Sequence, residues 1–297
     1  MELKHIATRA ARLSAILKED MGLSTGLINK RKWSGQLFVN GVSVHTDHAV
    51  TAGDVITVPM DEEKPAYPAE DGPLTVLYED DHFLAVDKPV GMLIHPSRAT
   101  MTGTLANRVL AYYEKTGQSC AFHPVTRLDR DTFGVVLLAK NAHIHAKMND
   151  LHAAAKLQKT YHAWVWGGPV QEEGVIDAPI ARRPLPSLLR YVNQNGKPSF
   201  TRYRVLERRE NSSLLALKPV TGRTHQLRVH CTHMGFPILG DPQYNTPESA
   251  AFSAQLGLTH QCLCAKVLDF VHPITGRPVQ IRSAMDPVNR CVFGEKA

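Results

Sequence analysis

The residues with the clearest chemical potential lie in HPVTRLDRDTFGVVLLAKN, from His123 to Asn141. Arg127, Asp129, Arg130 and Asp131 crowd five positions and run straight into Val135, Val136, Leu137, Leu138 and Ala139. A charge set against a buried apolar strand is costly unless it has a partner. An aspartate kept ionised by arginine at such a place could attack an electrophilic carbon or stabilise a cationic intermediate. A polar surface turn is the competing reading. Spacing alone does not choose between Asp129 and Asp131.

Two other stretches could bring groups to the same place. KTYHAWV sets Lys159 and Tyr161 at a strand start, and a tyrosine offers a flat apolar face with a polar tip. In LKPVTGRTHQLRVHCTHMGFPILGDPQY a strand ends at Thr221-Gly222-Arg223, a helix begins near Thr224 or His225, and a Gly-Asp-Pro turn follows at 240–242. His225, His230 and His233 belong to that helix without a carboxylate among them, so capping, packing or contact with a polyanionic partner is favoured over metal binding. Cys262 and Cys264 share one face of LCAKVLDFV and read as buried small residues rather than as ligands beside His260. No metal site is therefore expected. The chain has no GxGxxG, no GxxxxGK[ST], no HExxH and no GxSxG, which sets aside dinucleotide, P-loop, zincin and serine-hydrolase chemistry.

The elements that must position these residues are mostly strands. TVLYED, HFLAVDK, VVLLAK, TYHAWVWG, FTRYRVLERR, LLALKPV and LCAKVLDFV all read as strands, while 105–113 and 142–157 read as helices. Because strands mostly follow strands, an α+β domain with an antiparallel-rich mixed sheet is expected over residues 74–297. PMDEEKPAYPAEDGP, residues 59–73, reads as an extended Pro-rich acidic linker. Residues 1–58 form a smaller unit: helical spacing at Leu13, Ile16 and Leu17, a basic helix over 24–34, a hairpin LFVNGVSV turning at Asn40-Gly41, and the strand GDVITV.

Composition bounds the setting. The net charge of the 297-residue chain is +6, and ten Lys/Arg face two Glu between Ala181 and Arg223, which suggests a polyanionic partner. The five cysteines (120, 231, 262, 264 and 291) form no CxxC pair and fit a reducing compartment. Neither a membrane span nor a secretory leader is legible, so a cytoplasmic protein is expected.

In order along the chain, RLDRDTFG, KTYHAWV and GRTHQLRVHCTHMGFPILGDPQY, with GMLIHPS, GTLAN and GKPSFTRYRVL, resemble the RluA-type family of RNA pseudouridine synthases. The stretch from Leu27 to Val58 resembles an S4 RNA-binding domain. The resemblance implies a pseudouridine synthase fold and isomerisation of uridine to pseudouridine in ribosomal or transfer RNA. It implies Asp129 as nucleophile, Tyr161 against the target base and Arg223 paired with Asp129. It further implies Arg127 in the gap left by the base, and Lys30, Arg31 and Lys32 at RNA phosphates. A uridine leaves its stack at a cost of a few kcal/mol before it can react. The isomerisation oxidises nothing and takes no group from outside, so no cofactor is expected, and a monomer is expected. Thr126 and Phe133 depart from the family pattern, which has His and Ser there. The rival reading is a non-catalytic RNA-binding or ribosome-assembly protein that keeps the fold.

Overall fold

Short β-branched and aromatic runs between turn residues assemble into a ten-stranded sheet beyond residue 74. The computed structural model describes residues 2–60, 67–97, 99–154 and 156–285. Residues 61–66 of the expected linker and Cys291 lie outside the described residues. The spine of the sheet runs Glu173–Asp177, Phe200–Arg208, Ser212–Pro219, Gln158–Trp166, Leu263–Val271, Phe133–Ala139, Phe83–Lys88, Thr75–Glu79. Neighbours along this spine pair antiparallel, except Phe133–Ala139 with Leu263–Val271, which pair parallel. This is the mixed, mostly antiparallel α+β sheet expected from the strand-after-strand sequence.

The strands Phe83–Lys88 and Phe133–Ala139 are buried on both faces, which is why they read as continuous apolar runs. On one face Leu84, Val86, Val136 and Leu138 pack with Leu105 and Val109 of the helix Leu105–Lys115. On the other, Phe83, Ala85, Val135 and Leu137 pack with Ile144 and Met148 of the helix Ala142–Ala153. The Asp129 loop is therefore mounted on the most enclosed pair of strands. Gly134 adopts φ +109°, and a Cβ there would run into the Ala265 carbonyl, so the parallel contact needs a glycine at that position.

Both departures from the family pattern have packing roles. Thr126 is buried and its Oγ1 accepts from Leu137 N at 3.0 Å, which pins the approach to the loop. Phe133 is buried among Trp164, Leu239, Cys262 and Cys264, filling the space beneath the loop.

The N-terminal residues have their own four-stranded antiparallel sheet, in the order Glu2–Ile6, Val55–Pro59, Phe38–Val39, Val42–Ser43. Its core gathers Leu13, Ile16, Leu17, Ile28, Leu37 and Ile56. The expected helix over Leu13–Leu17 is one α-turn, Leu13–Ala15, continued by a π-helical turn, Ile16–Asp20. Asn40 and Gly41 both have positive φ, as a two-residue hairpin turn requires. Beyond residues 61–66, Tyr67 and Ala69 of the expected linker pack against the core of the larger sheet.

Candidate active site

Asp129 lies in a tight turn closed by Thr132 N, which donates to the Asp129 carbonyl at 3.2 Å, just before Phe133–Ala139 begins. Thr132 Oγ1 in turn accepts from Gln261 Nε2 at 2.6 Å. The Asp129 side chain is 35% exposed, so it reaches solvent while its backbone is fixed.

The guanidinium beside it belongs to Arg228. The helix Gln226–His233 starts three residues after Arg223, and its first turn carries Arg228 inward. Arg228 Nε and Nη2 donate to the two oxygens of buried Asp241 at 2.6 and 2.8 Å, and Nη2 also donates to Gln243 Oε1 at 3.0 Å. This two-point grip leaves Nη1 3.5 Å from Asp129 Oδ2. Burial works against the Arg228 charge, yet the hydrogen bonds and charge of Asp241, with Asp129, outweigh it and raise its pKa.

The expected pairing of Arg223 with Asp129 is thereby corrected. Arg223 is exposed on the turn before the helix, and its Nε points to the Pro198 carbonyl at 3.4 Å. No ion pair joins it to Asp129 among the described residues. The sequence did single out the Gly-Asp-Pro turn at 240–242. Read as the orienter of a nearby arginine, Asp241 would have pointed to Arg228.

Geometry also separates the two aspartates that spacing could not. Asp131 is engaged by its neighbour, with Arg130 Nε and Nη2 at 3.1 and 3.3 Å. Asp129 faces Arg228 and, at 3.9 Å, His225 Nε2. Both aspartates line an open cleft of about 600 Å³, together with Arg182, Arg190, His225 and Arg228.

Tyr161 reaches the same neighbourhood through sheet register. It pairs with Ala265, which pairs with Gly134, so the three lie in one row leading toward the end of the Asp129 loop. A register shift falls between Thr160 and Tyr161. Burial raises the Tyr161 pKa, and the charge of Asp129 raises it further, so the hydroxyl stays protonated. Arg127 is exposed, two residues before Asp129, and its charge reaches His95 and Lys159, whose pKa values are lowered by burial first and by Arg127 second.

Of the three N-terminal basic residues, Lys30 is exposed and Lys32 stands over the ring of Trp33 at 5.3 Å. Arg31 is corrected: it is buried and its Nη1 donates to Gln36 Oε1 at 2.5 Å, so it ties the helix to the turn that follows it rather than facing outward. Trp33, which the sequence reading passed over, is 82% exposed. His230 is a packing residue, with Nδ1 and Nε2 against Thr201 Oγ1 and the Ala178 carbonyl at 2.9 and 3.0 Å. Cys262 and Cys264 are buried in the apolar cluster with Phe133.

Comparison with known proteins agrees with this architecture. Residues 82–233 match the RNA pseudouridylate synthase family. The chain is 32% identical over 280 residues to an uncharacterized RNA pseudouridine synthase of Bacillus subtilis, YjbO, covering 93% of this chain and 96% of that protein. It is 35% identical to ribosomal large subunit pseudouridine synthase C of Vibrio cholerae, covering 85% and 82%. The structure of human RNA pseudouridylate synthase domain containing 1 superposes with a TM-score of 0.62 at 25% identity, covering 75% of this chain and 89% of that one. No described helix is long and apolar enough to cross a membrane. With its sheet, its central loop and its near full-length relatives in agreement, the chain belongs to the RluA-type family of RNA pseudouridine synthases, isomerases that act on RNA.

Proposed function

We propose that the chain converts uridine to pseudouridine in structured ribosomal RNA, with Asp129 as the nucleophile. The observation that carries this reading is the asymmetry of the cleft. Asp131 is occupied by Arg130, while Asp129 is presented to a buried arginine that Asp241 holds in place. In the isomerisation the C1′–N1 bond breaks, the base turns, C1′ bonds to C5, the C5 hydrogen leaves as a proton and N1 regains one. Asp129 takes the electron-poor sugar or base carbon in this sequence, and Arg228 lies against its carboxylate as the opposing charge. Tyr161 stacks on the turning base, and Arg127 enters the gap the base leaves in the RNA. No step calls for an oxidant or a supplied group, so the reaction is drawn without a cofactor. The names of several relatives, ribosomal large subunit pseudouridine synthases C and D, favour large-subunit RNA over transfer RNA.

The decisive experiment maps pseudouridines in total RNA of the source organism with and without the gene. Loss of one or more ribosomal sites on deletion is expected. An unchanged map, with protein that still binds ribosomal RNA, would favour the non-catalytic binder.

Arg228→Lys should lower turnover about 100-fold with RNA affinity nearly unchanged, since small misplacements at a reacting centre cost on that order. A lysine cannot grip both Asp241 oxygens and still offer a third nitrogen to Asp129. Arg223→Lys should keep turnover at saturating RNA. Single-turnover tritium release from RNA labelled at uridine C5 measures both, and equal losses in the two variants would return Arg223 to the site.

The N-terminal unit serves as an S4-like RNA clamp in this reading, acting in a cytoplasmic monomer. Its helix, hairpin and strand order supports that assignment, and its outward face carries Lys30, Lys32 and Trp33. Phosphate contacts give salt-dependent affinity, with each contributing up to about 0.9 to the slope of log K against log salt. Lys30→Gln with Lys32→Gln should flatten that slope by about 1–2 in filter binding to ribosomal RNA. An unchanged slope would remove the clamp from the mechanism.

A further inference from the structure

We propose that His225, held as the tautomer protonated on Nε2, is a positioning residue for Asp129, and that Tyr244 ties this pair to the hairpin arm Ile180–Arg182 and Arg190–Val192. The proposal rests on the reading of Asp129 as the nucleophile.

His225 has φ +57°, left-handed backbone that a non-glycine residue keeps only where its surroundings fix it. One hydrogen bond holds the ring, and its far nitrogen faces Asp129. Its Nδ1 lies 2.8 Å from the Tyr244 hydroxyl, and its Nε2 lies 3.9 Å from Asp129 Oδ2. The tautomer follows from counting protons. The Tyr244 oxygen accepts from the backbone N–H of Arg190 at 2.8 Å, because that group can only donate. Tyr244 is buried, and its own single proton goes to the acceptor at hand, His225 Nδ1. A neutral ring that accepts on Nδ1 carries its proton on Nε2, the nitrogen aimed at Asp129.

The ring is neutral for reasons that can be named. Burial lowers its pKa first, and Arg228 and Arg190 lower it further against the opposing charges of Asp129 and Asp241. His225 therefore offers Asp129 a neutral N–H, while the positive charge comes from Arg228, 3.5 Å from the same oxygen. Arg228 is locked to Asp241, so it sets one fixed direction, and His225 supplies a second.

At 3.9 Å the Nε2–Asp129 contact is about 1 Å longer than a hydrogen bond, and catalytic hydrogen bonds commonly tighten only when substrate is bound. The chain of contacts shows how RNA could tighten it. Arg182, Leu188 and Arg190 of the arm line the cleft, so RNA seated over Asp129 meets the arm. From there the path is Arg190 N–H to Tyr244 to His225 to Asp129. Pressure on the arm is thus passed to the carboxylate, which couples a correctly seated RNA to a correctly aimed nucleophile.

Two measurements on the full chain test this. In 15N NMR of protein labelled at histidine, the resonances lost in His225→Asn identify His225. They should show a protonated Nε2 and a bare Nδ1 at pH 8, and Tyr244→Phe should shift them toward the other tautomer. Asparagine tolerates left-handed backbone, so His225→Asn keeps the turn while falling short of Asp129. With RNA labelled by tritium at C5 and taken from cells lacking the gene, His225→Asn should slow single-turnover release about 100-fold. Tyr244→Phe should slow it about 10-fold, both with RNA affinity unchanged. A protonated Nδ1 in the unaltered protein would overturn the proposal, as would a Tyr244→Phe variant with the original tautomer and rate. The NMR result needs no RNA and no turnover. A failure of Asp129 as nucleophile, seen as an active Asp129→Asn, is therefore distinguishable from a failure of the relay.

Discussion

Replacing Asp129 by Asn should abolish tritium release from C5 of uridine, while Asp131→Asn should retain most of it. The C5 hydrogen must leave whatever intermediate the carboxylate forms, so released label reports every productive turnover. Asparagine nearly preserves the shape of Asp129, and the turn closed by Thr132 N uses only the backbone carbonyl, so the loop persists. What disappears is the charge presented to Arg228. Loss of a nucleophile commonly costs at least about four powers of ten in rate, which places release below detection. RNA affinity should hold or rise slightly, because one negative charge is removed from a cleft lined by Arg182, Arg190 and Arg228. Asp131 differs in its partner. Its two oxygens engage Arg130, an exposed pair of the kind that contributes little to stability, and the turn itself is closed by backbone. Undiminished release by Asp129→Asn, or equal losses in both variants, would overturn the assignment of roles.

What was legible in the sequence was what is local. The Asp129 loop, the Tyr161 strand, the Asn40-Gly41 hairpin and the two helices flanking the sheet each carry their signal within about ten residues. The misassigned arginine shows where that stops. Arg223 and Arg228 are five residues apart, and which one meets Asp129 depends on where the helix begins and on the left-handed turn at His225, whose ring meets Tyr244. Arg31 was misread for a similar reason. A run of three basic residues on a helix suggests an exposed face, but its middle member is buried and bonded to the turn after the helix. The arm over 180–192 was hidden because its strands are three residues each, embedded in prolines and arginines that mask alternation. The helix Pro247–Gln255 was readable and was missed: Thr246 caps it, Ser249 returns the bond, and Pro247 takes the first turn. Lys88 was least legible of all, since a lysine before a proline at a strand end looks like surface.

Lys88→Met should therefore produce the second large effect, on stability and turnover together. The Lys88 side chain is fully buried, and Nζ donates to the carbonyls of Pro89, Met92 and Arg130 at 2.9, 2.8 and 2.8 Å. Three donors meet three acceptors, and the third acceptor is in the Asp129–Thr132 turn. Methionine fills the volume but leaves three carbonyls without that donor, at about 1–3 kcal/mol each. Part of this is offset, because the buried charge is itself unfavourable: burial pushes the Lys88 pKa down to about 8, although Asp131 and Asp129 pull it back up. A net loss of roughly 3 kcal/mol is expected, read as a lower urea midpoint with an unchanged slope. Turnover should fall further than the folded fraction accounts for, since the Arg130 carbonyl no longer anchors the loop. The pH dependence has a definite sign. Below about pH 8 Lys88 is charged in both the folded and unfolded chain. From there up to its ordinary value of 10.5, the unfolded chain binds more protons, so this group's contribution to stability rises with pH. Over the same range the neutral amine has two donors for three carbonyls, so turnover should decline above about pH 8 while the Lys88 contribution to stability increases. A Lys88→Met protein with the original urea midpoint and rate would show that the loop is held by its other contacts alone, Thr132 with Gln261 and Thr126 with Leu137.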